Sequence, residues 1–214
     1  FQHKETDILE NTVWNGSIVV EGNITIQSGA TLSIKPGTGI FFTPGSHLMI
    51  AEGATLNAVG TETFPIVFAP ATEDEDDNDY WFGIKNWGEI NLNHCEIKGA
   101  RIGLNISQGS GNISQTLFNK NTTGLNLIYS DYFTIDHCTF TKNETGVQLL
   151  YSSPYLTHNF ISDNRDYGIY AYRSNSKLRN NTIQNNGIYG VKISNRSMAG
   201  FIANHTTDSP TANN

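Results

Sequence analysis

The sequence carries little charge, and most of its excess charge is in one place. Asp, Glu, Lys and Arg make up 15% of the 214 residues, against roughly 25% in ordinary soluble domains. The formal net charge is −7, and six acidic residues lie between positions 73 and 79. Outside this run the chain is nearly neutral, so it has no basic stripe that could follow a phosphate backbone. We therefore expect no nucleic-acid partner.

Long apolar runs and a helix-favouring composition are also missing. No segment approaches the roughly 18 apolar residues of a membrane-spanning helix, and no basic-then-apolar segment opens the sequence. Ile, Thr, Tyr and Phe are frequent while Leu and Ala are few, which favours β structure. Asn fills the place of the charged residues, with 25 copies beside 20 Gly. We expect an all-β chain without a membrane span, whose signal, if it is exported, has been removed.

The dominant pattern in the C-terminal half is a repeat of about 22 residues. Each repeat has a glycine that opens a short strand of alternating apolar and polar residues, and these glycines are Gly103, Gly124, Gly146, Gly168 and Gly190. A second column with the same interval reads Cys95, Thr116, Cys138, Asn159 and Asn181. Three short strands in one repeat leave no room for a helix, and hairpins would not recur at this interval. The sequence therefore predicts a single-stranded right-handed parallel β-helix, with stacked asparagines inside.

The N-terminal half keeps the coil but uses different turns. Apolar pairs recur about every eight residues from Ile24 to Phe68, with glycines between them. Three such units make one coil, so we expect one solenoid of roughly eight coils. We divide the chain into an N-terminal cap segment (1–17), a β-helix domain (18–205) with an acidic loop inserted at 70–80, and a polar tail (206–214). The tail offers no apolar plug, so we expect an end-to-end contact or further chain at the C-terminal coil.

Several stretches resemble known β-helix sequences. GNITIQSGATLSIKPGTGIFF resembles the start of β-helix regions in secreted and surface-anchored microbial proteins, and FTKNETGVQLLYSSPYLTHNFISDNRDYGIY resembles the parallel β-helix repeat superfamily. That superfamily includes polysaccharide lyases, alginate epimerases and non-catalytic surface repeats, so the resemblance implies the scaffold more than an activity. Nine N-glycosylation sequons fit an exported protein. We expect an extracellular or cell-surface location.

A short segment near the C-terminal end of the repeats shows a closer resemblance to one family of enzymes. The segment Tyr167–Ser174 resembles the part of mannuronan epimerases where Tyr-Gly-Ile is followed by Asp-Pro-His-Asp. This chain has Tyr170, Ala171 and Tyr172 at those positions. The acid and the histidine that the family's chemistry would use are both absent here, which argues against epimerase activity.

Tyrosines gather in the last coils and predict an exposed aromatic platform. Aromatic rings stack on the C–H face of a sugar, while amides and a lysine can bond its hydroxyls. The candidate carbohydrate-binding residues are Tyr129, Tyr151, Tyr170, Tyr172, Asn126, Gln148 and Lys192. The alternative is that the aromatics serve only as ladders between coils, because they are good β formers.

Two groups of residues could hold a metal. The acidic run offers clustered carboxylates that suit Ca²⁺, the one cofactor that the sequence suggests, or it is simply a solvated, self-repelling loop. Its candidate ligands are Asp74, Asp76, Asp77 and Asp79. A separate column holds three histidines at a turn, completed by Gln115 and Asn180; these are His94, His137 and His158. His137 and His158 would be neighbours on adjacent coils, as a metal pair or acid/base site, or as ordinary turn residues.

The two cysteines share a column but lie two coils apart. Two coil spacings separate them by about 10 Å, whereas a disulfide needs Cα atoms within roughly 7 Å. We expect Cys95 and Cys138 to be free, buried thiols.

Two functions remain open. The first is a non-catalytic extracellular β-helix module, either a surface-protein stalk or a carbohydrate-contacting domain. The alternative is a polysaccharide-active enzyme of the lyase or epimerase type acting on acidic glycans. Such enzymes need a base near a charge-neutralising group, but the outward column of the late strands offers Asn126, Gln148, Tyr170 and Lys192, with no acid among them. We therefore assign no catalytic residue, and Lys192 with Tyr170 is the pair that a lyase could use.

Overall fold

The computed structural model describes residues 1–72, 80–131, 133–207 and 211–212. Throughout these ranges the regular elements are β-strands, and they lie in three parallel sheets of ten, nine and nine strands. From the third strand onward, consecutive strands pass from sheet 1 to sheet 2 to sheet 3, so each pairs with the strand three places along the chain, whereas the first strand pairs with the third. A helix long and apolar enough to cross a membrane does not occur in the described part of the chain.

The strands are short, most of them three to six residues long. Sheet 1 contains β1 (Gln2–Lys4), β3 (Ser17–Val20), β6 (Gly39–Phe42), β9 (Ile66–Pro70), β12 (Cys95–Lys98), β15 (Leu117–Asn119), β18 (Thr139–Thr141), β21 (Phe160–Ser162), β24 (Thr182–Gln184) and β27 (His205–Thr206). Sheet 2 contains β4 (Asn23–Ile26), β7 (His47–Ile50), β10 (Gly83–Asn86), β13 (Ile102–Ser107), β16 (Thr123–Ile128), β19 (Thr145–Leu150), β22 (Tyr167–Tyr172), β25 (Tyr189–Ser194) and β28 (Thr211–Ala212). Sheet 3 contains β2 (Thr12–Trp14), β5 (Thr31–Ile34), β8 (Thr55–Val59), β11 (Glu89–Asn93), β14 (Ser110–Ser114), β17 (Thr134–Asp136), β20 (Tyr155–Thr157), β23 (Lys177–Arg179) and β26 (Gly200–Ile202).

This arrangement confirms the predicted parallel β-helix and its roughly eight coils, since β3 to β26 make eight sets of three strands. The predicted cap segment, 1–17, pairs with all three sheets, through β1, β2 and an isolated bridge from Ile8 to Ile26. The predicted tail, 206–214, contributes β28 to sheet 2. The functional division into cap, domain and tail remains a prediction.

The core consists of the inward residues of the strands, stacked in register. In sheet 2 the partners run Leu104, Leu125, Val147, Ile169 and Val191, all essentially without solvent exposure. The period-two alternation sends these side chains inward, and the 22-residue repeat places like above like. Burying each such side chain contributes roughly 1.5–3 kcal/mol. Phe118 and Phe140 stack in the same way in sheet 1, with ring centroids 4.8 Å apart.

The repeated glycines that open the sheet 2 strands are required by close packing of neighbouring coils. A Cβ atom at Gly124 would lie 2.6 Å from the carbonyl oxygen of Gly146, and one at Gly146 would lie 2.7 Å from that of Gly168. Real Cβ atoms do not approach a backbone oxygen so closely, so any larger residue would push the coils apart. The glycine column is thus a packing requirement rather than a requirement for positive φ.

Buried asparagines connect the coils inside two turns. Asn159 donates from its side chain to Asn181, which donates to Asn204, each over 2.9 Å. A second column, Asn121, Asn143, Asn164 and Asn186, joins four coils through side-chain bonds of 2.9–3.0 Å. In both columns the acceptor oxygen also receives the backbone N–H of the preceding asparagine. The second column was not among the predictions, although its spacing of 21–22 residues is visible in the sequence.

The cysteine prediction is confirmed, because Cys95 and Cys138 are free and buried. The Cys95 thiol lies 3.2 Å from the Ala58 carbonyl oxygen, and the Cys138 thiol lies 3.7 Å from that of Ile113. Burial raises the pKa of each thiol to about 12.

Candidate functional site

A turn residue with positive φ follows each strand of the C-terminal coils. After five strands of sheet 2, β13 to β25, this residue has φ between 48° and 58°; the five are Gln108, Tyr129, Tyr151, Arg173 and Asn195. Non-glycine residues are uncommon in this left-handed region. The shared conformation points successive side chains in the same direction, one above another along the axis, so the turn builds a continuous outer edge beside sheet 2.

Three of the predicted carbohydrate-binding tyrosines meet at this edge. The rings of Tyr129 and Tyr151 stack with centroids 4.9 Å apart, and Tyr172 meets Tyr151 edge-on at 5.5 Å. Tyr129 is 56% exposed and Tyr151 37%. Desolvation and the neighbouring Tyr172 hydroxyl raise the pKa of Tyr151. We call Tyr129, Tyr151 and Tyr172 the tyrosine ladder.

The other four predicted residues lie in register on the outer face of sheet 2. Asn126, Gln148, Tyr170 and Lys192 are paired in that order across β16, β19, β22 and β25. Gln148, Tyr170 and Lys192 are half-buried, and the Lys192 amine lies 4.8 Å from the ring centroid of Tyr189. Tyr170 lies two residues before Tyr172 in β22 and therefore on the same face of the strand, so these three residues and the tyrosine ladder lie on the same side of the solenoid.

Asn126 differs from its neighbours because it is only 5% exposed. Its side-chain nitrogen donates to the Asn105 oxygen over 2.9 Å, and its own oxygen is buried with no hydrogen-bond partner among the described residues. Alternation along the strand correctly places Asn126 on the outer face, but the side chains around it cover it. It offers a ligand very little surface.

The structure adds an open cleft that the sequence did not reveal. Arg173, Asn175, Asn195 and Arg196 line about 540 Å³ of space at the end of the tyrosine ladder. The Arg173 guanidinium carbon lies 5.7 Å from the ring centroids of both Tyr151 and Tyr172, within cation–π range. The signal in the sequence is the spacing of the two arginines, 23 residues or one coil apart. We call these four residues the arginine cleft.

The histidine column brings a second group together beside sheet 3. The Asp136 carboxylate lies 2.7 Å from His137 Nδ1 and 3.0 Å from His158 Nδ1, and the Thr157 hydroxyl donates to it over 2.5 Å. Burial acts to raise the pKa of Asp136, but the hydrogen bonds from Thr157, His158 and His137 outweigh it and lower that pKa to about 2. His94 belongs to the same turn column and stands outside this cluster.

The predicted calcium ligands, Asp74, Asp76, Asp77 and Asp79, lie outside the described residues. The chain that follows them is firmly packed. Trp81 is fully buried, stacks on Phe42 with centroids 4.1 Å apart, and donates its indole N–H to the Lys98 carbonyl over 2.9 Å.

Comparisons with solved structures agree with this architecture. The A-module of the mannuronan C-5 epimerase AlgE4 from Azotobacter vinelandii is 14% identical, with 88% of this chain and 68% of that chain covered at a TM-score of 0.51. Two mutant forms of the periplasmic alginate epimerase AlgG are each 13% identical. The alignments cover 90% and 89% of this chain and 73% of each AlgG chain, at TM-scores of 0.51 and 0.52. At such identities the likeness shows the fold alone.

Comparison of the sequence with protein-family models assigns the chain to a family. No curated protein matches the sequence. Residues 6–121 match the family described as a pectate-lyase-like β-helix domain, and residues 82–213 match the right-handed β-helix region. The two matches together cover nearly the whole chain, and they confirm the superfamily and the handedness predicted from the repeats. The chain belongs to the right-handed β-helix family.

Proposed function

We propose that this chain is a non-catalytic β-helix module that contacts a carbohydrate through the tyrosine ladder and the arginine cleft. The observation that carries the proposal is the alignment of exposed aromatic rings along the solenoid axis, with a polar cleft at one end. A core ladder would bury its rings, whereas Tyr129 is more than half exposed.

A sugar chain running along the axis would use both parts of this surface. Its C–H faces would stack on Tyr129 and Tyr151, and its hydroxyls would bond to the amides of Asn175 and Asn195. The proposal assigns Gln148, Tyr170 and Lys192 to the flank of the same surface. Asn126 supports the scaffold instead, because it is buried.

The arginine cleft favours an acidic sugar over a neutral one. Guanidinium groups bind carboxylates in a bidentate manner, and both Arg173 and Arg196 line the cleft. Arg173 is also held against two rings of the ladder, so less side-chain freedom is lost when a ligand binds.

A polysaccharide lyase or epimerase is the second candidate. The observation in its favour is that Lys192 and Tyr170 are paired directly across β25 and β22, on the same face as the ladder. The solved structures with similar folds are named as alginate and mannuronan epimerases. In an enzyme of this type Lys192 would act near the acidic sugar and Tyr170 would exchange a proton with it.

The proposal places the module at the cell surface or elsewhere outside the cytoplasm. The sequons fit such a location, and one of the structurally similar proteins is named as periplasmic.

Binding and turnover are separated by titrating the protein with polyuronate oligosaccharides and, in parallel, with neutral glucan oligosaccharides. Tyr151→Asn is the informative variant, because Asn195 has the same φ of 53° at the same turn position and the fold should tolerate the change. We expect Tyr151→Asn to weaken polyuronate binding by about five- to tenfold, since a lost aromatic stacking contact is worth about 1 kcal/mol. Arg173→Gln, for which Gln108 is the precedent in the column, should reduce the preference for polyuronate, because Arg196 is then the remaining arginine of the cleft.

The control variant is Tyr155→Thr, which removes a tyrosine of similar exposure from sheet 3. It should bind polyuronate as the parent does. Equal loss in Tyr155→Thr and Tyr151→Asn would contradict the proposed surface. Formation of unsaturated or epimerised products, lost in Lys192→Gln, would establish the enzyme instead.

A further inference from the structure

The turn that follows sheet 3 aligns a second set of side chains. Its five residues have φ between 47° and 54° and occupy the same place in consecutive coils; they are His94, Gln115, His137, His158 and Asn180. The imidazole rings of His137 and His158 are stacked, with centroids 4.7 Å apart and planes 18° from parallel. Two potential ligands from different coils are therefore held side by side by the backbone.

Asp136 completes a set of three metal-ligand atoms. Each of its carboxylate oxygens lies near the Nδ1 atom of one histidine, at 2.7 Å for His137 and 3.0 Å for His158. All three ligand atoms lie within 4.8 Å of one another. Bonds of about 2.0–2.1 Å in a tetrahedral zinc site place ligand atoms roughly 3.3 Å apart. The two oxygen–nitrogen pairs therefore need to open by roughly 0.3–0.6 Å. The two nitrogen atoms, which lie within 4.8 Å of each other on stacked rings, must also converge, and this requires the rings to tilt towards a common ion.

Neighbouring polar groups already orient these ligands. The Thr157 hydroxyl donates to Asp136 Oδ1, and the Asn180 side-chain nitrogen lies 3.0 Å from His158 Nε2. Partners of this kind fix the ring orientation of metal-binding histidines. The side chains of His137, His158 and Asp136 are 57%, 44% and 34% exposed, so an ion can reach them from solvent.

We propose that Asp136, His137 and His158 form a binding site for a first-row transition-metal dication such as Zn²⁺, joining two adjacent coils. Nδ1 of both histidines and one Asp136 oxygen are the protein ligands, and water completes the coordination. The remaining proton of each imidazole then resides on Nε2, and the Asn180 amide rotates to present its oxygen to His158. Imidazole and carboxylate ligands suit Zn²⁺, Ni²⁺ and Cu²⁺ rather than Ca²⁺. The site is separate from the carbohydrate surface, which lies beside sheet 2.

The test is a titration of the metal-free chain with Zn²⁺, followed by calorimetry and by thermal unfolding. We expect one ion per chain at this site and a higher melting temperature, because an ion that binds only the folded state stabilises it. His158→Asn and His137→Gln should each weaken binding by at least about tenfold. Both replacements occur naturally in the same turn column, at Asn180 and Gln115, so the coil should be preserved.

His94→Gln is the matched control, since it removes a histidine from the same column but from outside the cluster. It should bind Zn²⁺ like the parent, and excess Ca²⁺ should not displace Zn²⁺. Substituting Co²⁺ should give the visible spectrum of nitrogen and oxygen ligands without a thiolate charge-transfer band. Equal loss in His94→Gln, retained affinity in both cluster variants, or a thiolate band would each overturn the site.

Discussion

At the residue scale, several functional candidates lie in backbone conformations that are unfavourable for a residue with a Cβ atom. Tyr129, Tyr151 and Arg173 beside sheet 2, and His137 and His158 beside sheet 3, all have positive φ. For residues with a Cβ this conformation costs on the order of 1 kcal/mol each, and Gly or Asn would adopt it more easily. Large side chains in these turns are therefore better explained by what they contact than by the needs of the turn.

The buried thiols make alkaline pH a probe of the core. Their folded pKa of about 12 lies above the value of about 8.5 for a free thiol. A raised folded pKa contributes stability that is fully present below about pH 8.5 and is lost as the pH rises towards 12. We predict that the free energy of unfolding falls through this window. It should fall less steeply in the Cys95→Ala/Cys138→Ala variant, as measured by urea unfolding at each pH.

The same burial should slow the reaction of the native thiols with a disulfide reagent. The unfolded chain should then release two thiols per molecule. A native protein that reacts as fast as a free thiol, or an unfolded protein with fewer than two thiols, would contradict the core described for Cys95 and Cys138.

At the scale of single elements, each strand is too short to be stable alone, and neighbouring coils supply the missing contacts. Strands of three residues, such as β17 and β20, satisfy few backbone groups by themselves. The two asparagine columns form hydrogen bonds between the turns of neighbouring coils. Without these bonds, backbone groups in the turns would be buried without partners. A serine column does the same beside sheet 2, where the N–H groups of Ser130 and Ser152 donate to the next serine hydroxyl.

Asn143 is the most informative position in these columns. Its oxygen accepts from both the backbone and the side chain of Asn121, and its nitrogen donates to the Phe118 carbonyl and to Asn164. We predict that Asn143→Ala lowers the free energy of unfolding by about 2–4 kcal/mol, because several buried groups lose their partners. Chemical denaturation measures the change.

Asn119→Ala provides the comparison. Asn119 lies two positions before Asn121 of the column, and within the described part of the chain its buried side-chain oxygen has no hydrogen-bond partner. This variant should be close to neutral in stability. If it is as destabilising as Asn143→Ala, the effect comes from general loss of packing and the column has no special role.

At the scale of the whole molecule, the two ends differ from the body of the solenoid. The first coil buries Ile8 and Trp14 but exposes Leu9, and the last described coils expose Met198 and Ile202 at 70% and 60%. Among the described residues, the terminal strands of each sheet pair on one side only, and unpaired strand edges can pair with another chain. The expected end-to-end contact at the C-terminal coil therefore stays a prediction of this arrangement.

Analytical sedimentation over a range of protein concentrations tests whether chains contact each other at the C-terminal coil. We predict that the chain self-associates and that Ile202→Asp shifts it to the monomer, because a charge at the contact opposes burial. Ile188→Asp, at a similarly exposed position on the side of the solenoid, should have no effect. A parent that stays monomeric at all concentrations would rule out the contact between chains.

The fold could be predicted from the sequence because each coil of a solenoid packs only against the coils next to it in the chain, so the repeat interval sets the stacking. The 22-residue spacing, the inward alternation of residues such as Leu125 and Val147, and the absence of helical patterns together leave one architecture. The repeat interval also predicts which residues occupy the same position in successive coils. The stacking of His137 on His158 and of Tyr129 on Tyr151 could therefore be predicted from their spacing of 21 and 22 residues.

Contacts between residues at different positions of the coil could not be predicted from the repeat interval. The sequence by itself determined which side chains recur at each position of the coil, because that depends on spacing and alternation alone. Only the tertiary structure decided that Asp136 reaches both histidines, that Arg173 lies over two tyrosines, and that Asn126 is covered. These outcomes depend on the left-handed turns and on side-chain rotamers, which set direction across the coil, and no periodicity in the sequence encodes that direction.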